Sequence, residues 1–367
     1  MSLQSGAVRV ALLTESNERL PASVATDVQD AFERVGRNTG NIAFHQVLEH
    51  HLDDELGFVS WFDEPGEIRE RFDVLLIPEA SVLASGKDFG RKADVVVAVD
   101  LPVVVTGIGF QDDRWGRSPR PPEGTLRYMR ALADRTAMLG VRGPRSQSIL
   151  RRAGIANTLV TGCPSVFWHR DRLLGRRIEQ RLQAAGGPPL RPAVAVGPSK
   201  RQLRRVHRRL FDWVVRRDGA WIAQSGDLLA RALRHEAVSA PHGRGGSGPP
   251  VALRAFVEAE DWMTFLEGYD VSVNPRIHGT ILALQAGVPG FCITHDGRTA
   301  ELAETCGVPT LAPRQFFGRD PERLVAERGF DGVRFDEARK HLAGAYARLL
   351  GEAGLHPVSW LVDIGDG

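Results

Sequence analysis

Short apolar runs alternate with amphipathic segments along almost the whole chain. The apolar runs are nearly continuous and predict strands at residues 8–13, 74–77, 95–99, 103–106 and 158–161. Strands that are buried on both faces have this character, so the pattern indicates parallel sheets covered by helices. The intervening segments Ala25–Val35, Gly124–Leu132 and Arg145–Ala153 carry helical spacing.

The alternation stops in one Gly- and Pro-rich segment and then starts again. Residues 184–192 read AAGGPPLRP, which is typical of a linker, and a new strand follows at 193–196. We therefore expect an N-terminal α/β domain at 1–183, a linker at 184–192, a C-terminal α/β domain at 193–329, and a helix and tail at 330–367. The expected fold is two doubly wound, Rossmann-like domains facing a central cleft. The polar loop at 240–250 is interpreted as an insertion rather than a lid.

Composition narrows the possible partners and compartments. The 367 residues carry 47 Lys and Arg against 45 Asp and Glu, a net charge of +2, which argues against nucleic acid as a partner. Three widely spaced cysteines form neither a disulfide framework nor a zinc pattern. The chain shows no signal peptide and no membrane-spanning run, so a cytoplasmic location is expected.

The clearest chemical candidate follows the strand predicted at 270–273. Asn274-Pro-Arg-Ile-His-Gly-Thr280 stands between that strand and a helix, where α/β sheets bind ligands and where free helix amides favour anions. Arg276 offers a planar fork for phosphate or carboxylate, His278 can transfer a proton near neutral pH, and Gly279 can admit a ligand to the backbone. Arg276 and His278 could instead pair with neighbouring groups at an ordinary helix start.

The stretch from Val273 to Pro289, VNPRIHGTILALQAGVP, resembles the Arg-Leu-His-Gly signature of the polysaccharide pyruvyl transferase family. Two further stretches agree in order. Asn38-Thr-Gly-Asn41 is similar to the family's Asn-x-Gly-Asp loop, and Arg142-Gly-Pro-Arg-Ser146 with Val160-Thr-Gly-Cys-Pro-Ser165 is similar to its Arg-Asp-x-x-Ser and Asp-Pro segments. The resemblance covers about residues 35 to 310.

The resemblance implies a glycosyltransferase-B-like fold and transfer from phosphoenolpyruvate to a sugar, forming a pyruvate ketal. Arg276, Ile277, Gly279 and His278 would lie at the donor, and His278 is the candidate acid or the group that stabilises the departing phosphate. No cofactor or metal is implied. Further substrate-binding candidates are Lys200 and Arg201, which follow the strand at 193–196, and Arg298, which lies in the loop predicted at 295–298. In the N-terminal loop the candidates are Asn38, Gly40 and Asn41. Lys200 and Arg201 could equally form an exposed basic helix face.

The expected acceptor is a sugar or a lipid-linked glycan bound by the first domain. The departures from the family pattern lie mainly there: Asn41 replaces an acid, Gly143 an Asp, and Cys163-Pro-Ser an Asp-Pro. Asp112 and Asp113 are candidates to act on acceptor hydroxyls. The sequence is also compatible with peripheral contact with a membrane surface and with a homo-oligomer.

Several weaker candidates are interpreted as structural. His50, His51, Asp53 and Asp54 could hold a metal, but a solvated surface is the favoured interpretation. Trp115, Trp168 and Trp262 could stack on sugar, with a core role as the default, and Cys163 is expected to be a small buried residue. Two rival functions remain: a nucleotide-sugar glycosyltransferase of the same shape, and a non-catalytic sugar- or anion-binding protein.

Overall fold

A computed structural model describes residues 8–14, 27–112, 117–197, 201–238 and 251–366. The predicted site residues Asp113 and Lys200, the loop at 240–250 and Trp115 lie outside the described residues.

Strands and helices alternate throughout the described chain. Up to residue 164 the elements are β1 (Arg9–Thr14), α1 (Val28–Arg34), α2 (Ile42–His45), β2 (Glu55–Ser60), α3 (Pro65–Arg71), β3 (Val74–Pro78), β4 (Leu83–Ala84), α4 (Gly90–Val99), β5 (Val103–Thr106), β6 (Phe110–Gln111), α5 (Glu123–Ala133), β7 (Leu139–Val141), α6 (Pro144–Arg152) and β8 (Thr158–Val160). From residue 165 onward they are α7 (Leu174–Ala184), β9 (Pro192–Val196), α8 (Arg204–Arg216), β10 (Ala220–Ala223), α9 (Asp227–Leu233), β11 (Ala237–Val238), β12 (Val251–Arg254), α10 (Ala259–Leu266), β13 (Val271–Asn274), α11 (Ile277–Gln285), β14 (Gly290–Ile293), α12 (Gly297–Thr305), β15 (Thr310–Leu311), α13 (Pro321–Arg328), α14 (Gly332–Glu352) and α15 (Ser359–Asp366).

The first of two compact units contains the described residues up to 14, those of 45–164, and 339–366. Its main sheet is parallel, in the order β2-β1-β3-β5. A separate parallel pair is formed by β7 and β8, and an isolated β-bridge joins Val141 of β7 to Ile108. β1 and β3 are almost wholly buried. The continuous apolar runs predicted a parallel sheet that is covered on both faces, and this prediction is confirmed.

The second unit contains residues 27–44 and the described part of 165–338. Its sheet has the order β11-β12-β10-β9-β13-β14-β15 and is parallel except for β11. In the central strand β9, Val194 and Val196 enter one apolar core, whereas Ala193 and Ala195 enter the core on the opposite face. The small alanines allow α11 to approach the sheet closely on that side.

The chain passes between the units elsewhere than predicted. The passage falls after Pro164, and the segment 184–192 is a connection within the second unit. The reason lies in α7, which is anchored to the second unit: the Arg181 guanidinium donates to the backbone carbonyls of Glu267 (2.8 Å), Tyr269 (3.0 Å) and Gly287 (3.2 Å). The Gly- and Pro-rich composition of residues 184–192 thus correctly predicted a loop, but not the boundary between the two units.

Residues 95–99, predicted as a strand, lie in helix α4. Ala93, Val96 and Val99 are buried at a spacing of three residues, while Val97 is 52% exposed. A run of β-branched residues favours a strand only weakly, and here the helical burial pattern prevails.

The C-terminal segment is tied to the first unit through buried polar groups. The side chain of Asp54 accepts from the His356 amide (2.7 Å) and lies 2.7 Å from His356 Nδ1. His51 is buried, with Nδ1 3.3 Å from the Tyr346 hydroxyl. The interpretation of this segment as a solvated surface is therefore wrong for His51 and Asp54. No helix within the described ranges is long and apolar enough to cross a bilayer.

Candidate functional site

The strand order of the second unit changes direction next to its central strand. The chain leaves β9 towards β10 on one side and later enters β13 on the other side. The carboxyl ends of β9 and β13 therefore adjoin where the connections diverge, which is where open α/β sheets bind ligands. Gly197 follows β9, Ser225 follows β10, and Arg276 follows β13.

Arg276 lies across this edge. It is the residue preceding α11, with an extended φ of −123° that turns the chain from strand to helix. Its Nη2 donates to Ser225 Oγ, and a Cβ on Gly197 would lie 3.0 Å from its Nε and Cζ atoms. The Nε atom is buried and has no hydrogen-bond partner among the described residues. A glycine at 197 is thus needed for the guanidinium to reach this position.

The charges around Arg276 favour an anion. Burial, together with the charge of Arg298, lowers the pKa of Arg276 to about 10, while Asp296 acts in the opposite direction. The Arg276 guanidinium is therefore protonated at neutral pH. Arg298 Nη2 lies 3.8 Å from Asp296 Oδ2, and its own Nε is buried without a described partner. One carboxylate thus faces two guanidiniums.

Asp296 remains ionised in this environment. Burial by itself would raise its pKa, but the charges of Arg298 and His295 and hydrogen bonds from Thr299 hold the pKa well below the usual range. Thr299 donates from its amide (2.9 Å) and its hydroxyl (2.8 Å) to Asp296 Oδ1, which caps α12. Oδ2 is left facing the basic side chains.

His278 lies in the first turn of α11 and is only 5% exposed. Its ring centroid is 5.4 Å from that of Phe44, which belongs to the same unit. Its predicted neighbours in the motif are packed inward. Ile277 is buried, and a Cβ on Gly279 would come within 2.5 Å of the Ala195 side chain in β9. The structure therefore gives Gly279 a role in helix-to-sheet contact, and the approach of a ligand to its backbone stays a prediction.

The Asn38 turn lies in the second unit, not in the N-terminal domain to which it was assigned. The Asn38 side chain accepts from the Gly40 amide (3.2 Å) and from Gln224 Nε2 (3.0 Å), and its Nδ2 donates to Asn41 Oδ1 (3.2 Å). The Thr39 amide donates to the Gln224 carbonyl at 2.8 Å. The turn is thus fastened to the end of β10.

Gln224 and Ser225 belong to the candidate site, and sequence reasoning did not identify them. The Oε1 atom of Gln224 is buried without a partner among the described residues and faces α11, 3.4 Å from the position that a Cβ on Gly279 would take. The available signal was two polar residues directly after a buried strand that lies beside the central strand.

The remaining predicted residues are placed as follows. Arg201 is exposed at the start of the 3-10 helix Arg201–Leu203, and the next residue, Gln202, donates from Nε2 to the His295 carbonyl (2.8 Å). Asp112 belongs to the first unit, where its side chain is 5% exposed and pairs with Arg145 at 3.4 Å. Arg276, His278, Arg298 and the Asn38 turn therefore share a unit with Arg201, and Asp112 does not.

Three further side chains are shielded from solvent. Burial, with a smaller contribution from Lys92, lowers the pKa of His45 to about 3, so this ring is neutral at physiological pH. Cys163 and Trp262 are fully buried, as expected. Among the described residues no group of three or more His, Cys, Asp or Glu is arranged to hold a metal ion.

Comparison with known proteins identifies the family. A sequence profile described as polysaccharide pyruvyl transferase matches residues 38–297. A search of curated protein sequences returned no significant match.

Solved structures with similar folds include three bacterial proteins. HepE of Anabaena in complex with UDP and glucose has 13% identity and a TM-score of 0.48, covering 98% of this chain and 97% of its own. MnaA of S. aureus with UDP has 10% identity and a TM-score of 0.47, covering 94% and 98%. The UDP-N-acetylglucosamine 2-epimerase of Rickettsia bellii has 10% identity and a TM-score of 0.47, covering 94% and 96%.

Proposed function

The chain belongs to the polysaccharide pyruvyl transferase family, and on that premise we propose that it transfers a pyruvyl group from phosphoenolpyruvate to a sugar or glycan precursor, forming a ketal and releasing phosphate. The observation that carries the proposal is a pair of guanidiniums whose charges interact: Arg276 at the start of α11 and Arg298 in the first turn of α12. The donor has two anionic groups, a phosphate and a carboxylate. Two basic forks and free helix amides are suited to hold them.

Arg276 is the proposed primary donor ligand. Ser225 occupies its Nη2, which fixes the guanidinium and leaves the buried Nε and the remaining donors directed elsewhere. A pre-oriented guanidinium loses little freedom on binding, and a planar fork binds phosphate or carboxylate in a bidentate manner. Arg298 would hold the second anionic group.

The proposed chemistry requires one acid. A proton added to the methylene carbon of the enol leaves cationic character on the adjacent carbon, which a sugar hydroxyl attacks. The bond from that carbon to the phosphate oxygen then breaks, and a second hydroxyl closes the ring. The two hydroxyls release two protons; one balances the proton delivered to carbon and the other leaves with phosphate. His278, two residues beyond Arg276 at the helix start, is the proposed acid.

The direct test is phosphate release from phosphoenolpyruvate in the presence of a panel of glycosides. Release that depends on both donor and acceptor, with a ketal detected in the product by mass, supports the proposal. Tight binding of a nucleoside diphosphate sugar with transfer of its sugar would instead support a nucleotide-sugar glycosyltransferase. Binding of phosphoenolpyruvate without phosphate release in the presence of any acceptor would support a non-catalytic binding protein. Either of these two outcomes would overturn pyruvyl transfer.

A further inference from the structure

Helix α8 carries an arginine-rich outer side, here called the arginine face: Arg204, Arg205, Arg208 and Arg209, all exposed. Their spacing of i, i+1, i+4 and i+5 places them on one side of the helix. The opposite side is buried in the core of the second unit. One carboxylate, the exposed Asp212, lies among them.

Positively charged residues predominate on this face. Within the described ranges, no carboxylate forms an ion pair with Arg204, Arg205 or Arg209. By contrast, Arg216 at the end of the same helix pairs with Asp320 at 2.9 Å. Helices on a protein surface usually interleave charges of both signs, so a run of exposed arginines with one acid is a marked local excess.

An exposed aromatic ring adjoins the arginine face. Phe317 follows the 3-10 helix Pro313–Phe316, which packs against α8, and it is 51% exposed. The Arg205 guanidinium carbon lies 5.2 Å from the centroid of its ring. Phe316, the residue before it, is buried in the core and fixes the position of the segment. Arg314 is also exposed in this segment.

We propose that the arginine face and Phe317 dock the protein on an anionic phospholipid surface. Guanidiniums are attracted to anionic headgroups, with a contribution that adds from one basic residue to the next. A phenyl ring beside them can enter the boundary between headgroups and acyl chains while the arginine stems extend back to the headgroups. The whole chain has a net charge of only +2, which disfavours nucleic acid as the occupant.

The docking surface adjoins the candidate site. Gln202, two residues before α8, donates to the carbonyl of His295, the residue before Asp296. A surface-bound protein would thus hold this edge of the second unit near acceptors embedded in the membrane. The proposal does not depend on the donor being phosphoenolpyruvate.

The test is co-sedimentation of the full chain with vesicles of phosphatidylcholine alone or of phosphatidylcholine with phosphatidylglycerol. We expect binding only to the second kind, weakened by salt. Arg204→Gln with Arg205→Gln should lower the partition coefficient roughly tenfold or more. Phe317→Ser should lower it several-fold without changing its salt dependence. The matched control is Arg151→Gln with Arg152→Gln, which removes two adjacent exposed arginines from α6 in the first unit.

Three results would overturn the proposal: equal binding to both kinds of vesicle, an equal loss in the α6 control, or binding to duplex DNA with none to anionic vesicles. Circular dichroism of each variant verifies that it is folded. If the double variant is unfolded, charge removal at Arg209 alone gives a smaller loss of the same sign, and no loss would again refute the proposal.

Discussion

Replacing Arg276 with alanine separates donor binding from folding. Among the described residues the side chain makes one hydrogen bond, from Nη2 to Ser225 Oγ, while Nε is buried without a partner. Burial and the nearby charge of Arg298 both disfavour its charged form, as its pKa of about 10 indicates. Its removal therefore eliminates an unfavourably placed charge together with one hydrogen bond. The two effects oppose each other, so the free energy of unfolding should change by about 1 kcal/mol or less.

The effect on the donor should be much larger. A hydrogen bond to a charged group contributes roughly 1.5–3 kcal/mol, and each 1.4 kcal/mol is a tenfold change in affinity. The dissociation constant of phosphoenolpyruvate should therefore rise by a factor of about 10 to 150. Titration calorimetry measures the affinity, and a denaturant melt on the same sample measures the stability.

Arg181→Ala is the control for losing a hydrogen-bonded arginine from the same unit. Its guanidinium donates to three backbone carbonyls that hold α7 to the second unit, away from Arg276 and its neighbours. This variant should be less stable and bind the donor with unchanged affinity. The reasoning is refuted if folded Arg276→Ala binds the donor as the wild type does, or if Arg181→Ala weakens binding equally.

Three other predictions concern the same region. His278→Gln should lower the single-turnover rate at saturating donor at least about a hundredfold with little change in melting temperature, and a near-wild-type rate would exclude His278 as the acid. Gly279→Ala should lower the free energy of unfolding by about 1–3 kcal/mol in a denaturant melt, because the new Cβ meets Ala195. The control Gly268→Ala, whose new Cβ has its nearest contact at 3.7 Å, should change the free energy of unfolding little. Equal effects of the two substitutions would contradict the close packing of α11. Donor affinity should be constant from about pH 7 to 9 and fall as pH rises through about 10, where Arg276 loses its proton; calorimetry showing a fall centred near pH 7 would assign the binding charge to another group.

Local patterns predicted the elements well where burial decides them. The runs that became β1, β3, β5 and β9 are buried on both faces, so nearly every residue in them is apolar and the strand signal is strong. The valines of α4 led to a wrong strand prediction. They are buried in a helical pattern, which depends on contacts with distant parts of the chain rather than on local β-propensity. The family motif was visible because its residues are contiguous.

The sequence could not show which motif residues face the site and which face the core. Arg276 is partly exposed at the edge of the sheet, whereas Ile277 and His278 are buried and Gly279 packs on Ala195. In a helix, neighbours point about 100° apart, so a contiguous motif necessarily mixes both roles. Ser225 was missed for the complementary reason: it is about fifty residues away and joins Arg276 only through the pairing of β9 with its two neighbours.

The N-terminal segment 27–44 makes the second unit discontinuous in sequence, and this bears on how its site is built. The turn at Asn38 accepts a hydrogen bond from Gln224, and Phe44 lies beside His278. The carbonyl of Ala43 in turn accepts from Trp168 Nε1 at 2.8 Å. A C-terminal fragment that begins at residue 165 would therefore keep Arg276 and Arg298 but lose the partner of Gln224 and the aromatic neighbour of His278. The side chains proposed to bind the donor and the groups around the proposed acid thus come from segments far apart in sequence. Residues 27–44 must therefore fold together with the later part of the second unit before this edge of the sheet is complete.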